Sequence, residues 1–436
     1  MSGGPVPGGP RRGDHVEVVI EKAVYRGRGL GRVDGRVVLV PRAHPGDRVR
    51  ARLTEVHAGW AEGTIVEFLA AAPERRASPC PYVPRCGGCA YQDLAYDAQV
   101  RAKEAILRES LARAGVPWDG VVEVHASPER SWRMRASLHF GPGERGPVLG
   151  LRQEGTRRVV DVLTCLQLSD RMNQAARALR DAVAARPALW RHVRGLDLLE
   201  SVDGSALVAS LDTALPAHEG QALAPLAGVA GLDGFGVATG RRLQWLHGTP
   251  FVEATVTGVT LRAHVRSFFQ ANRFLLEPLA RTVVGLVPGG EGRVIDLYCG
   301  VGLFALPLAA RGEPDVLAVE WAASAAEDAR WGARRNGLGG VRVMSGDVDG
   351  VLAAVRPQVG ERVVLDPPRT GAGPAVVSRV ADREPEAVVY VSCDPPTLGR
   401  DLAAFAARGY RPDAVHLFDL FPDTFHMETA VRLRRG

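Results

Sequence analysis

From Thr255 onward, short runs rich in β-branched residues alternate with stretches of helical periodicity; the runs are Val294–Leu297, Val316–Val319, Val363–Leu365 and Val388–Val391. Strands buried on both faces read as near-continuous Val, Ile and Leu, whereas half-exposed strands alternate apolar with polar residues. The pattern therefore predicts a parallel sheet with helices on both faces, an α/β doubly wound layer. Such sheets place ligands and chemistry beyond the carboxyl ends of their strands. In this chain those ends carry Gly300 and Gly302, Glu320, Asp366 and Cys393.

Cys393 is the most informative of these residues. Its run, Val388-Val-Tyr-Val-Ser-Cys393-Asp-Pro-Pro396, stops at a thiol and passes straight into a rigid turn. A second strand-like segment, Thr424–Thr429, carries Glu428. A thiolate nucleophile with a separate proton acceptor is the equipment of covalent catalysis at an electrophilic ring carbon. The competing reading is a structural cysteine and a solvated glutamate.

The run Val294–Leu297 leads into a glycine turn and then the helical stretch Leu303–Ala310. Glycines there let the backbone approach a ligand at a helix N-terminus. The spacing Gly300-x-Gly302-x-x-Ala305 also fits a dinucleotide fingerprint, so an NAD site is an alternative. Glu320 suits the ribose hydroxyls of either nucleotide. Asp366-Pro-Pro-Arg369 shifts the balance: it resembles the Asp-Pro-Pro-aromatic turns of methyltransferases acting on exocyclic amines, but here arginine replaces the aromatic and a cysteine strand follows. That combination points to S-adenosylmethionine and a carbon target. Upstream, Gln270 and Asn272 in Arg266–Asn272 offer hydrogen bonds to a cofactor or base edge; the alternative is a helix start with Phe268 and Phe269 in the core. Cys299 reads as a small strand-end residue.

A chain of 436 residues calls for two or three domains. The expected division is 1–72, 73–250 and 251–436. In the first part, after a Gly/Pro-rich start expected to be disordered, short runs at Val16–Ile20, Gly35–Val40, Asp47–Leu53 and Ala61–Glu67 predict a small β-barrel. The middle part reads as mixed α+β: a helix over Leu94–Ala114, which could pack on the catalytic domain, strands at Trp132–Phe140 and Val148–Leu151, and a helix over Leu168–Leu189. No apolar run is long enough for a membrane helix, and Met1-Ser-Gly-Gly-Pro lacks the features of a signal peptide, so a cytoplasmic protein with no membrane partner is expected. Clustered thiols in a reducing compartment indicate metal or catalysis rather than disulfides. Cys80, Cys86 and Cys89 are spaced C-x5-C-x2-C, and Cys165 is the candidate fourth ligand. Four thiolates suit tetrahedral zinc or a [4Fe–4S] cluster, abundance leaning to zinc. The net charge of +5 permits a polyanionic partner, and arginine-rich stretches such as Arg26–Arg32 and Arg130–Arg135 can contact phosphates.

Gly27-Arg-Gly-Leu-Gly31, Asp34-Gly-Arg36 and Pro41–Gly46 make the N-terminal part resemble a TRAM domain, an RNA-binding module of oligonucleotide-barrel (OB-like) type. With the cysteine loop, Ser267–Asn272, Asp296–Gly300, Asp366–Arg369, Ser392-Cys393 and His426–Glu428, nearly the whole chain resembles the bacterial RNA uracil-5-methyltransferase family. The resemblance implies a Rossmann-like class I methyltransferase domain and a [4Fe–4S] cluster rather than zinc. It also implies S-adenosylmethionine contacts from Gln270, Tyr298, Gly300, Glu320, Asp347 and Asp366, with Cys393 as nucleophile and Glu428 as base. A monomer modifying ribosomal or transfer RNA is expected, the cysteine set leaning to 23S rRNA. Asp394 and Leu303 depart from the family pattern, which often has asparagine and, in some members, a polar contact there. The rival from another class is a nonenzymatic, zinc-containing RNA-binding protein.

Overall fold

The computed structural model describes residues 10–144, 146–240 and 242–436, so most of the Gly/Pro-rich start expected to be disordered lies outside the described residues. The chain divides into two compact units: one runs through Glu109 and takes in Phe421–His426, the other comprises Ser110–Leu420 and Met427–Gly436. This division differs from cuts at 72/73 and 250/251, because the middle and C-terminal parts fall in one unit.

The first unit holds a closed barrel of β1 (His15–Val24), β2 (Arg28–Val33), β3 (Arg36–Pro41), β4 (Arg48–Val56) and β5 (Trp60–Ala70), in the order β1-β2-β3-β5-β4. Alternate residues Val18, Ile20, Val38, Val40, Val49, Ala51 and Leu53 fill its interior. Strand β2 was not anticipated, since Arg28-Gly-Leu-Gly-Arg32 lacks β-branched residues. Its glycines have a packing reason: a Cβ on Gly29 would lie 2.6 Å from the Ile20 side chain. In the same unit, Asp423 is fastened by Gln92 Nε2 at 2.8 Å and Gln99 Nε2 at 3.0 Å, while its own N–H donates to Gln99 Oε1.

In the second unit, β6 (Val122–His125) is followed by a seven-stranded sheet of β7 (Arg135–Gly143), β8 (Gly146–Arg152), β9 (Val159–Asp161), β10 (Val193–Glu200), β11 (Leu207–Thr213), β12 (Gly234–Thr239) and β13 (Arg242–Gly248), ordered β13-β12-β11-β10-β7-β8-β9. Helix Asp170–Ala184 packs Met172, Ala175, Leu179 and Val183 into its core. The single helix expected to Leu189 stops because Pro187 disfavours helical geometry in the preceding residue, and a short turn, Pro187–Trp190, follows. Strand β7 likewise begins three residues later than expected, since the N–H groups of Arg133 and Met134 donate to Gln167 and Ala271 carbonyls instead.

After the hairpin β14 (Phe251–Val256) and β15 (Val259–His264) come β16 (Val294–Leu297), β17 (Val316–Glu320), β18 (Val341–Ser345), β19 (Arg362–Leu365), β20 (Ala387–Ser392), β21 (Tyr410–Phe418) and β22 (Glu428–Arg435). With β6 they form one sheet, β18-β17-β16-β19-β20-β22-β21-β6, parallel from β18 to β20. Every residue of β16, β19 and β20 is buried, as the continuous apolar runs required. The expected α/β class, a Rossmann-like sheet with a small N-terminal barrel and a mixed central part, is the architecture found. Helix Tyr96–Arg113 ends against helix Pro395–Ala406 at Gly399, where a Cβ would lie 2.9 Å from the Ser110 carbonyl oxygen and 3.0 Å from Ala114 Cβ.

Candidate active site

Strand β20 is buried to its end, and Cys393 is the first residue beyond it. Its partner is set by register. Antiparallel pairing of β20 with β22 places Ser392 opposite Thr429, and Thr429 Oγ1 donates to the Ser392 carbonyl at 3.0 Å. One step outward, Cys393 faces Glu428. Glu428 therefore heads β22 rather than lying within a strand, because residues 424–427 are loop. Beyond the thiol, Asp394 caps helix Pro395–Ala406 by accepting the Thr397 N–H at 3.0 Å. Asparagine caps equally well, so this departure from the family pattern keeps the local structure.

Asp366 follows β19, and its N–H donates to the Leu297 carbonyl at 3.2 Å, bringing it beside the end of β16. Burial, followed by the Asp366 charge, pushes the Glu428 carboxyl well above the usual range, with Arg369 pulling it back. Burial and then Glu320 raise Asp366 to about 7. Burial, Glu428 and Asp366 push the Cys393 thiol up to about 12, again against Arg369. Asp296 is likewise raised, first by burial and then by Asp366 and Glu320. Its Oδ2 accepts the Ala305 N–H at 2.8 Å, while Asp296 Oδ1 and Glu428 Oε1 are buried without a hydrogen bond. The site holds more anionic groups than cations to balance them, and a positively charged ligand would relieve all four.

The turn after β16 has Tyr298, Gly300 and Gly302 at φ of 63°, 55° and 90°, a left-handed path that the two glycines take at little cost and the tyrosine does not. Gly300 N–H donates to Glu320 Oε2 at 2.9 Å and Ala322 N–H to Oε1 at 2.6 Å, which fixes the carboxylate while leaving each oxygen a further lone pair. Asp347 is exposed and caps helix Val348–Ala354 through the Gly350 N–H at 3.0 Å. Burial and then the charges of Asp401, Asp347 and Asp349 raise the Tyr298 hydroxyl.

Upstream, Ser267 Oγ, His264 N–H and Arg262 Nε all donate to Asp328, at 2.7, 2.9 and 2.9 Å. Gln270, in the segment so anchored, is buried, and its amide makes no hydrogen bond to any described residue. Asn272 differs, which corrects the expectation of a ligand contact. Its Nδ2 donates to Ser127 Oγ and the Leu420 carbonyl and its Oδ1 accepts from Phe274 and Leu275, so both ends of the amide are spent on structure. Phe269 is buried but Phe268 is 64% exposed, so only one of the two enters the core. Leu303 packs in the core.

Cys80, Cys86 and Cys89 lie in a turn-rich loop of the first unit, where Gly88 N–H points at Cys86 Sγ at 3.4 Å. Cys165 belongs to the second unit, its N–H and carbonyl both bound by the Asn173 amide. Asp296 and Arg369 were not singled out from sequence as site residues. A carboxylate inside an apolar run was the available signal for the first, and the arginine in place of an aromatic for the second.

Residues 95–436 match the model of the tRNA (uracil-5-)-methyltransferase family, and residues 11–66 that of the TRAM domain. The chain belongs to this uracil-5-methyltransferase family. An uncharacterized RNA methyltransferase of Gloeobacter violaceus is 34% identical over the full length of both chains. The 23S rRNA (uracil(1939)-C(5))-methyltransferase RlmD of Klebsiella pneumoniae is 31% identical, covering 94% of this chain and 93% of that protein. Among solved structures, the tRNA (uracil-54, C5)-methyltransferase of Pyrococcus abyssi in complex with S-adenosyl-L-homocysteine superposes with a TM-score of 0.75 and 27% identity, over 96% of this chain and 99% of that one. Membership in the uracil-5-methyltransferase family removes the NAD oxidoreductase and the nonenzymatic RNA-binding protein as readings of this chain.

Proposed function

We propose that the chain methylates C5 of a uridine in 23S rRNA through a covalent adduct between Cys393 and C6 of the ring. The observation that carries this is the β20–β22 register, which sets a thiol and a buried carboxyl side by side at the open end of the sheet. S-adenosylmethionine supplies an electrophilic methyl and the positive charge that the anionic site lacks. Gln270, Tyr298, Gly300, Glu320, Asp347 and Asp366 would hold it.

Uracil C5 is a poor nucleophile until a group adds at C6. Cys393, deprotonated, adds there and pushes electrons onto C5 and O4 as an enolate, which Arg369 helps to stabilise. C5 then takes the methyl group and retains its proton. Glu428 accepts that proton, the C5–C6 double bond re-forms, and the Cys393 thiolate leaves. The elevated affinity of Glu428 for a proton suits the accepting step. The uridine must leave its stack to reach Cys393, and we assign the compensating RNA contacts to the barrel and the central sheet.

Cys80, Cys86 and Cys89 would bind a [4Fe–4S] cluster; these donors are soft thiolates, and the Gly88 N–H is already directed at sulfur. Its role here is structural, since the reaction moves no net electrons. Iron, sulfide and zinc analysis of anaerobically purified protein separates cluster from zinc. The enzyme acts as a monomer in the cytoplasm, which light scattering and fractionation check; among the described residues no helix is long and apolar enough to cross a membrane.

The deciding experiment incubates the full chain with methyl-labelled cofactor and either unmodified 23S rRNA or tRNA, followed by nucleoside mass spectrometry. Label in 5-methyluridine from 23S rRNA supports the reading. Label from tRNA alone would move the substrate to that class, and label in another nucleoside would overturn the chemistry.

A further inference from the structure

The far edge of the catalytic sheet gathers two imidazoles and a carboxylate that the methylation chemistry does not use. Strand β6 pairs in parallel with β21, with Glu123 beside His416 and His125 beside Phe418. Side chains two apart share a face, so all four project from the same side. His125 Nε2 lies 3.2 Å from His416 Nδ1, and His416 Nδ1 lies 3.4 Å from Glu123 Oε2. All three donor atoms lie within 4.8 Å of one another.

One hydrogen bond joins the two imidazoles, and the Glu123 carboxylate approaches the same His416 Nδ1. If His125 donates to His416 Nδ1, the carboxylate faces a lone pair; if His416 Nδ1 carries the proton and gives it to Glu123, His125 Nε2 is left facing the flank of that N–H. A cation among the three atoms accepts a lone pair from each. The 3.2 and 3.4 Å spacings about His416 Nδ1 also fit, because metal–ligand bonds of about 2.0–2.1 Å at tetrahedral angles imply ligand–ligand edges of about 3.3–3.4 Å. Phe418 stacks on His125 with centroids 4.1 Å apart and planes 7° apart, which holds that ring, while His416 is only 8% exposed. The Glu123 side chain is 66% exposed, leaving solvent for a fourth position.

We infer that Glu123, His125 and His416 form a binding site for a divalent transition-metal ion of the zinc type. Occupancy would pin β6 to β21 where both lead toward the cofactor side. Two residues beyond His125, Ser127 Oγ accepts from Asn272, and two beyond Phe418 the Leu420 carbonyl accepts from the same amide. Asn272 in turn fixes the segment that carries Gln270.

The test titrates the full chain with Zn²⁺ against a chromogenic chelator and compares wild type with Glu123→Gln and His125→Gln. The cysteine loop is intact in all three proteins, so its uptake is common to them. The expected result is one tight equivalent fewer in the variants, or that equivalent weakened by about tenfold or more, the scale on which even outer-shell changes act. Zn²⁺ should also raise the thermal midpoint of wild type more than that of either variant. Glu123 is exposed, so its substitution leaves the fold intact. Equal stoichiometry and affinity in the wild type and Glu123→Gln would overturn the site.

Discussion

Glu428→Gln separates the steps assigned to this site. With the Cys393 thiol raised to about 12, only about one molecule in ten thousand carries a thiolate at pH 8 before ligands bind. Burial is the first cause and the ionised Glu428 the second, so an amide at position 428 should lower that value and speed alkylation of Cys393 at alkaline pH, where the wild-type carboxyl is charged, followed by mass spectrometry of its peptide across pH. Overall turnover should move the other way. Removing a positioned general base costs about 10²–10⁴-fold, or about 3–5 kcal/mol of barrier, and the loss should fall on the elimination step. The variant should therefore accumulate a covalent protein–RNA adduct visible on a denaturing gel, with the methyl group already transferred. Glu428 Oε1 is buried without a partner, so an amide N–H placed there costs about 1–3 kcal/mol, and a thermal melt must show that the variant is folded at the assay temperature. Normal turnover would remove Glu428 from the role of base; lost turnover with no adduct would move its action to bond formation or earlier.

Cys393→Ala should abolish methylation and adduct formation while S-adenosylmethionine still binds by calorimetry; retained methylation would end the covalent mechanism. Asp366 titrates higher in the folded chain, at about 7, than the ordinary 3.8, so its contribution to stability is fully present below about 4 and is lost as pH rises through 7. Asp366→Asn removes that loss, and its thermal midpoint relative to wild type should be higher at pH 8 than at pH 5; a constant difference would refute the raised value. Asp401→Ala should destabilise by about 3 kcal/mol in denaturant melts, because this buried carboxylate accepts from Tyr390 Oη at 2.6 Å and from the Ala372 and Gly373 N–H groups. Gly399→Val should cost about 1–3 kcal/mol, since it drives a side chain into Ser110 and Ala114.

The catalytic sheet was legible because its signal is redundant: runs such as Val388–Val391 are β-branched, short and repeated between helical stretches, and each ends on a polar residue. What was not legible follows from pairing across distance. No local pattern shows that Ser392 lies opposite Thr429, yet that register turns two separate motifs into one site. Strand β2 was hidden because glycines chosen for close packing erase the β-branched signature. Asn272 and Gln270 looked alike in sequence; in the folded chain the Asn272 amide is spent on Ser127, Leu420, Phe274 and Leu275, and Gln270 has no described partner among these. Thr424–Met427 looked like strand because its residues favour extended backbone, but Asp423 at φ 64° breaks that path.

The arrangement of charge at the sheet's open end also explains how one site can use groups with such reluctant ionisation. Burial of Glu428, Asp366 and Asp296, with the charges of Asp366 and Glu320 adding to it, makes each hold its proton more tightly, and the same surroundings keep Cys393 a neutral thiol. Left alone, the nucleophile is inert, which protects it from oxidation and unwanted electrophiles. A cationic cofactor reverses the balance, because a positive charge near these groups favours every anionic form. Cofactor binding should then release protons from the carboxyl set and lower the Cys393 value together. Calorimetry in two buffers of different ionisation heat measures that release directly, with an expected release at pH 7 in wild type that shrinks in Asp366→Asn. If the two proteins release the same number of protons, Asp366 does not couple cofactor charge to the thiol, and activation of Cys393 would have to come from the RNA side of the site.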